Sequence, residues 1–126
     1  MAWTSWEAAT ITLEPNAQLI AQFSEPAYAL AFARIENHYF VNGGWLREGQ
    51  LIAEAGVLRK IPAVIVQGRY DVATPAVTAY DLHLAWPEAD FTVAPVAGHA
   101  YSEAGIVDAL VQATDRYRLG AGDLVV

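Results

Sequence analysis

The run Ala63-Val64-Ile65-Val66-Gln67 limits what this chain can become more than any other stretch. A short, continuous β-branched segment with no polar alternation predicts a strand covered on both faces, as in a parallel sheet. Residues 68–73 read as a loop. Thr74-Pro75 predicts a helix N-cap followed by proline at the first helical position, with the helix reaching about Ala85 and Pro87 beyond it. Val77, Tyr80 and Leu84 share one side of that helix. Asp90 to Ala94 predicts a second strand, and Pro95 to Ala100 a second loop. A last helix, about Glu103 to Leu119, sets Ile106, Leu110, Ala113 and Tyr117 on one stripe, and Gly120 and Gly122 predict a loose tail. Strand–helix–strand–helix is an α/β unit with parallel strands. Two strands do not make a stable parallel sheet, so further strands are expected from elsewhere.

The first sixty residues carry no strand signal. Trp3, Trp6 and Ile11 can share a face of an opening helix that Pro15-Asn16 ends, and a short helix is expected over 17–23. Ser24 predicts the N-cap of a long helix with Pro26 in its first turn. Tyr28, Ala31, Ile35 and His38 follow one another at helical spacing, and Asn42-Gly43-Gly44 stops the run. His38 on this apolar stripe reads as a hydrogen-bonded core histidine. A further helix is expected over 50–58, with Leu51, Ile52, Ala55 and Leu58 inward. The division is therefore a helical segment, 1–60, and an α/β segment, 61–126.

At 126 residues the chain is one domain or part of one, and its 55% hydrophobic content is high for a small free-standing domain. It holds no cysteine, which excludes a disulfide framework, a thiolate zinc site and a cysteine nucleophile, and fits a cytoplasmic protein. The formal charge of −7 speaks against a nucleic-acid partner. The N-terminus does not read as a signal peptide, and no apolar run is long enough for a membrane span. His38, His83 and His99 lack ligand-like spacing, so neither a metal nor another cofactor is expected; His83, between Leu82 and Leu84, reads as structural.

Functional groups in parallel sheets sit on loops at the carboxyl ends of the strands. Asp71 follows the first strand and His99 the second, so both are expected at the same sheet edge. Acid before histidine is also the order of the last two members of an α/β-hydrolase triad. In that role the aspartate orients the imidazole, which takes the nucleophile's proton. Taken alone, the pair is equally compatible with a turn-capping aspartate and an ordinary loop histidine. The three serines, Ser5, Ser24 and Ser102, have no flanking glycines, so no Gly-x-Ser-x-Gly elbow is present.

Gly68-Arg69-Tyr70-Asp71-Val72, the run 80–87, Ala97-Gly98-His99, the run 33–40 and Trp3-x-x-Trp6-Glu7 together closely resemble the C-terminal catalytic part of proline iminopeptidases. These are α/β-hydrolases that remove an N-terminal proline from peptides. The resemblance runs from Trp3 to about Tyr117. It implies that 1–60 is a helical cap segment and 61–126 the C-terminal part of an α/β-hydrolase core. It implies catalytic roles for Asp71 and His99, and makes Glu7 and Glu36 the cap glutamates that bind the substrate's amino group. A buried ammonium needs carboxylate partners, which agrees with that assignment. The family's nucleophile and oxyanion loop are expected in an N-terminal half upstream, and without them the chain alone is expected to be inactive. Thr74 stands where some members have cysteine, Ala100 where serine is common and Ala104 where proline is. Two alternatives stay open: a non-catalytic remnant that self-associates or serves as an interaction module, and part of a related hydrolase with another substrate.

Overall fold

The computed structural model describes residues 2–120, so the tail beyond Gly120 lies outside the described residues. The chain opens with three helices, α1 (Ala2–Thr10), α2 (Ala17–Phe23) and α3 (Pro26–Val41). A 3₁₀ turn at Gly43–Trp45, the four-residue α4 (Gln50–Ala53) and a second 3₁₀ turn at Ala55–Leu58 lead to β1 (Val64–Gly68). Then come α5 (Ala76–Ala85), β2 (Asp90–Ala94) and α6 (Ala104–Gly120). β1 and β2 pair in parallel, Val64 opposite Asp90 through Gly68 opposite Ala94. This is the α/β arrangement expected of a C-terminal α/β-hydrolase part, and among the described residues β1 has no partner on its other edge.

Burial is divided among three small clusters. Ala8, Ile11 and Phe23 gather α1 and α2 against Tyr28 and Phe32 of α3. Ala55, Trp86 and Ala89 sit with Leu82 and Ile65. Ala94, Ala97 and Ile106 join β2 to α6 over Val66. Large apolar side chains stay exposed between them, among them Val57, Val96 and Tyr101. The buried set is rich in alanine because the elements approach closely while their bulkier faces point outward.

Several helix faces and caps differ from the sequence-based expectations. α3 turns Ala29, Phe32, Ala33 and Glu36 inward and leaves Ala31, Ile35 and His38 exposed. His38 is therefore no core histidine; its ring lies near those of Tyr39 and Trp45. Trp3 and Trp6 are likewise exposed, and Thr4, Ala8 and Ile11 form the inner stripe. The region 50–58 breaks at Glu54 into a helix and a 3₁₀ turn, so Ala55 is buried while Leu51 and Ile52 are not. Val77, Tyr80 and Leu84 of α5 also face outward. In each case an apolar period marked a helix without saying which side finds a neighbour within this chain.

Glu25, not Ser24, caps α3, accepting from Tyr28 N at 2.8 Å. Ser24 instead ends α2, its hydroxyl donating to Ile20 O and lying 2.8 Å from Ser5 Oγ. α5 begins at Ala76 after Pro75, and Thr74 supplies no cap because its hydroxyl is used elsewhere. His83 is structural as expected: Nδ1 lies 3.1 Å from Ala89 O and the ring stacks on Phe91.

Candidate active site

The parallel register brings Gly68 and Ala94 level at the carboxyl end of the sheet. Pairing continues into the loops through Arg69 N to Ala94 O at 3.0 Å and Tyr70 N to Ala97 O at 2.9 Å. A Cβ at Gly68 would stand 1.8 Å from Gly98 O, so the two loops touch backbone to backbone. Only glycine permits that approach.

The approach sets Asp71 beside His99. Asp71 Oδ1 accepts from Ala73 N at 3.0 Å and Thr74 N at 2.8 Å, an Asx-type turn. Oδ2 accepts from Gln67 Nε2 at 3.1 Å, Thr74 Oγ1 at 2.9 Å and His99 Nδ1 at 2.9 Å. The Asp71 side chain is 5% exposed and that of His99 is 40% exposed. Burial pushes the Asp71 carboxyl up, but hydrogen bonds from Thr74 and His99 outweigh it and hold the group below its ordinary value. An ionised carboxylate can only accept, so the Nδ1 facing it carries the proton and Nε2 is left as the basic nitrogen. Thr74 Oγ1, 3.1 Å from Nδ1, lies on the acid side of the ring and is not placed as a nucleophile.

His99 also lines a cavity of about 570 Å³ between the loops and the first three helices, with Glu7, Phe23, Tyr28, Phe32 and Ser102 on its walls. Its far side is the aromatic group Phe23–Tyr28–Phe32, with centroids 5.0 to 5.7 Å apart. Glu7 Oε2 is buried there with no hydrogen-bond partner. Burial first, then the negative charge of Glu36 and a side-chain hydrogen bond with it, raise the Glu7 carboxyl above its ordinary value, while the His99 charge works in the opposite direction. Glu36 accepts from Trp3 Nε1 at 2.7 Å and lines a separate hollow with Trp3 and Phe40, not the His99 cavity. The helices thus bring two carboxylates from separate turns of chain close together, one of them incompletely satisfied. A larger hollow of about 730 Å³ on the outer face of α3 contains none of these four groups. Among the described residues no three His, Asp or Glu side chains converge as a metal site.

Three contributors escaped the sequence reading. Gln67 is the one polar side chain of β1, and its buried amide donates to both Asp71 Oδ2 and Thr74 O. That misplaced polarity was a usable signal. Thr74 has the pattern of a helix cap, but its hydroxyl donates to Asp71 Oδ2. Glu103 was read as the start of the last helix; instead its carboxylate accepts from Gly98 N and Leu13 N.

No family model matches the chain. Curated relatives do match. A proline iminopeptidase of Xylella fastidiosa (strain Temecula1) is 52% identical over 117 residues, 92% of this chain and 37% of that protein. Proline iminopeptidases of Neisseria gonorrhoeae and Arabidopsis thaliana are 48% and 45% identical, over 90% and 93% of this chain and 36% and 31% of theirs. This chain is therefore homologous, over some nine-tenths of its length, to proline iminopeptidases, and it spans about a third of theirs in a manner consistent with a C-terminal portion.

Proposed function

We propose that this chain is the C-terminal portion of a serine-type proline iminopeptidase, with Asp71 and His99 as acid and base and Glu7 and Glu36 as partners of the substrate's amino group. The observation that carries the reading is one cavity walled by both the His99 imidazole, with Asp71 behind it, and the Glu7 carboxylate, whose buried Oε2 has no hydrogen-bond partner. A prolyl N-terminus is a secondary ammonium attached to a compact apolar ring. The carboxylates suit the ammonium, and the Phe23–Tyr28–Phe32 wall suits the ring.

In the assembled enzyme His99 Nε2 takes the proton of a serine supplied by the N-terminal portion. The serine oxygen attacks the prolyl carbonyl, and the imidazolium returns the proton to the leaving peptide amine. Water then hydrolyses the prolyl ester by the same route. Asp71 holds the ring with Nδ1 protonated and stabilises its cation throughout. On this reading residues 1–60 form the helical cap segment and residues 61–126 the C-terminal core, in the cytoplasm, with peptides bearing N-terminal proline as substrates. On the same reading an N-terminal half supplies both the nucleophile and the strand for the open edge of β1.

The test is reassembly. Co-expression of this chain with the N-terminal portion of the Xylella fastidiosa relative is expected to yield a complex that cleaves a prolyl arylamide, and His99→Ala is expected to abolish cleavage. A stable complex without activity toward that substrate defeats the reading. The open β1 edge and exposed Val57, Val96 and Tyr101 favour one alternative, a self-associating, non-catalytic module. Size-exclusion chromatography of the chain alone separates them: a defined oligomer that refuses the N-terminal portion supports the alternative.

A further inference from the structure

The loop that carries His99 is fastened to the start of the chain by a carboxylate that the proposed chemistry does not use. Glu103 Oε2 accepts from Gly98 N at 2.6 Å, and its Oε1 accepts from Leu13 N at 2.8 Å, 90 residues away in sequence. Between these two bonds, His99 N and Ala100 N both donate to Ile11 O, at 2.8 and 2.7 Å. Three of these contacts lace residues 98–103 to residues 11–13, and the fourth, Gly98 N to Glu103 Oε2, closes the loop on the carboxylate. Ile11 N in turn donates to Glu7 O at 3.1 Å, so this segment is the direct continuation of the α1 turn bearing Glu7. The connection from Glu7 to His99 therefore runs through one turn of helix and this lacing. There is no slack in it: a Cβ at Gly98 would stand 3.1 Å from both Ile11 O and Leu13 N, and 3.3 Å from Glu103 Oε2.

The choice of residue fits the task. Two backbone N–H groups from different segments need two acceptors on one rigid fork. A carboxylate offers them, whereas an amide offers one and turns a donor toward the other N–H. Charge makes both bonds short and strong.

We propose that Glu103 is a positioning residue whose carboxylate holds the His99 loop at a set distance from the α1 turn bearing Glu7, and thereby fixes the reach across the cavity from amine partner to base. This rests on the roles given above to Glu7 and His99.

The test is amide exchange and histidine ring NMR on the 126-residue chain. Glu103→Ala is expected to lower protection of the Leu13 and Gly98 amides together, by at least about tenfold, and to broaden the His99 Nδ1–H resonance while amides within β1 and β2 keep their protection. Glu103→Gln keeps the volume and one acceptor, and is expected to release one of the two amides. Gly98→Ala, which wedges the same contacts apart with the carboxylate intact, is expected to disturb His99 as Glu103→Ala does. Unchanged Leu13 exchange with an unchanged His99 signal in Glu103→Ala overturns the proposal. If that variant does not fold, Glu103→Gln decides: both amides still protected overturns it, and selective loss of one supports it. No readout requires turnover, so this result stands apart from whether reassembly gives a peptidase.

Discussion

Asp71 and Glu7 are both acids near the same imidazole, yet their surroundings are opposite. Asp71 gathers five donors, from Ala73 N, Thr74 N, Gln67, the Thr74 hydroxyl and His99. Glu7 has a buried oxygen with no donor and a second carboxylate nearby. The first site is complete in its acid and holds its charge without help. The second holds its negative charge less readily, because burial and the neighbouring Glu36 favour the protonated form. The local chain explains the difference. Asp71 sits in a turn whose backbone N–H groups point at it, whereas Glu7 lies on a helix whose N–H groups are already committed to the helix ladder.

The largest expected effect breaks the complete site at its base. Gly68→Ala drives a Cβ into Gly98 O and is expected to cost roughly 3 kcal/mol or more in denaturant unfolding, with loss of the Asp71–His99 contact. Next comes Asp71→Asn. It turns an amide donor toward Gln67, Thr74 or His99, and is expected to cost about 2 kcal/mol. In a reassembled enzyme it is also expected to lower kcat by roughly 10⁴-fold, through the wrong imidazole tautomer. Trp3→Phe deletes the donor to Glu36 and is expected to cost about 1 kcal/mol, leaving that carboxylate less satisfied.

The smallest effect has the opposite sign and sharpens the comparison most. Glu7→Gln removes one of two like charges and is expected to stabilise the chain at neutral pH by up to about 1 kcal/mol. The pH dependence follows from the two shifts. Asp71 is lowered from 3.8, so the stability it contributes is present above that value and is lost as pH falls through its folded value. Glu7 is raised from 4.5, so the folded chain keeps that proton longer than the unfolded one. Stability then declines as pH rises from 4.5 through the raised value. Unfolding curves of the two variants against pH are expected to lose one slope each. A Glu7→Gln variant that is less stable at neutral pH, or that retains the decline, removes the contrast between the sites.

Much of the fold was legible because it rests on local rules. An apolar β-branched run marks a strand, proline and glycine mark the stops, and β2 lies where its residues predict, Asp90–Ala94. The placement of Asp71 and His99 at one sheet edge followed from parallel topology and the position of each residue after its strand. What failed was the choice of faces. Ile35, Leu51, Val77 and Leu84 obey helical spacing but stay exposed, because burial depends on which other surface arrives. His38 was misplaced for the same reason.

The sequence by itself therefore determined the order of the elements, the parallel pairing and the placement of Asp71 and His99 at one sheet edge, whereas Glu7 and Glu36 came forward as candidates only through the family resemblance. Backbone propensity, turn chemistry and chain order are local or topological, and they survive without knowledge of neighbours. Only the tertiary structure decided that Thr74 serves Asp71 instead of capping α5, that Gln67 braces it, and that Glu103 ties Leu13 to Gly98 across the chain. Each of these is a polar side chain with several possible partners within its reach. Which partner wins depends on what packing leaves unsatisfied, and packing is settled by the whole fold at once.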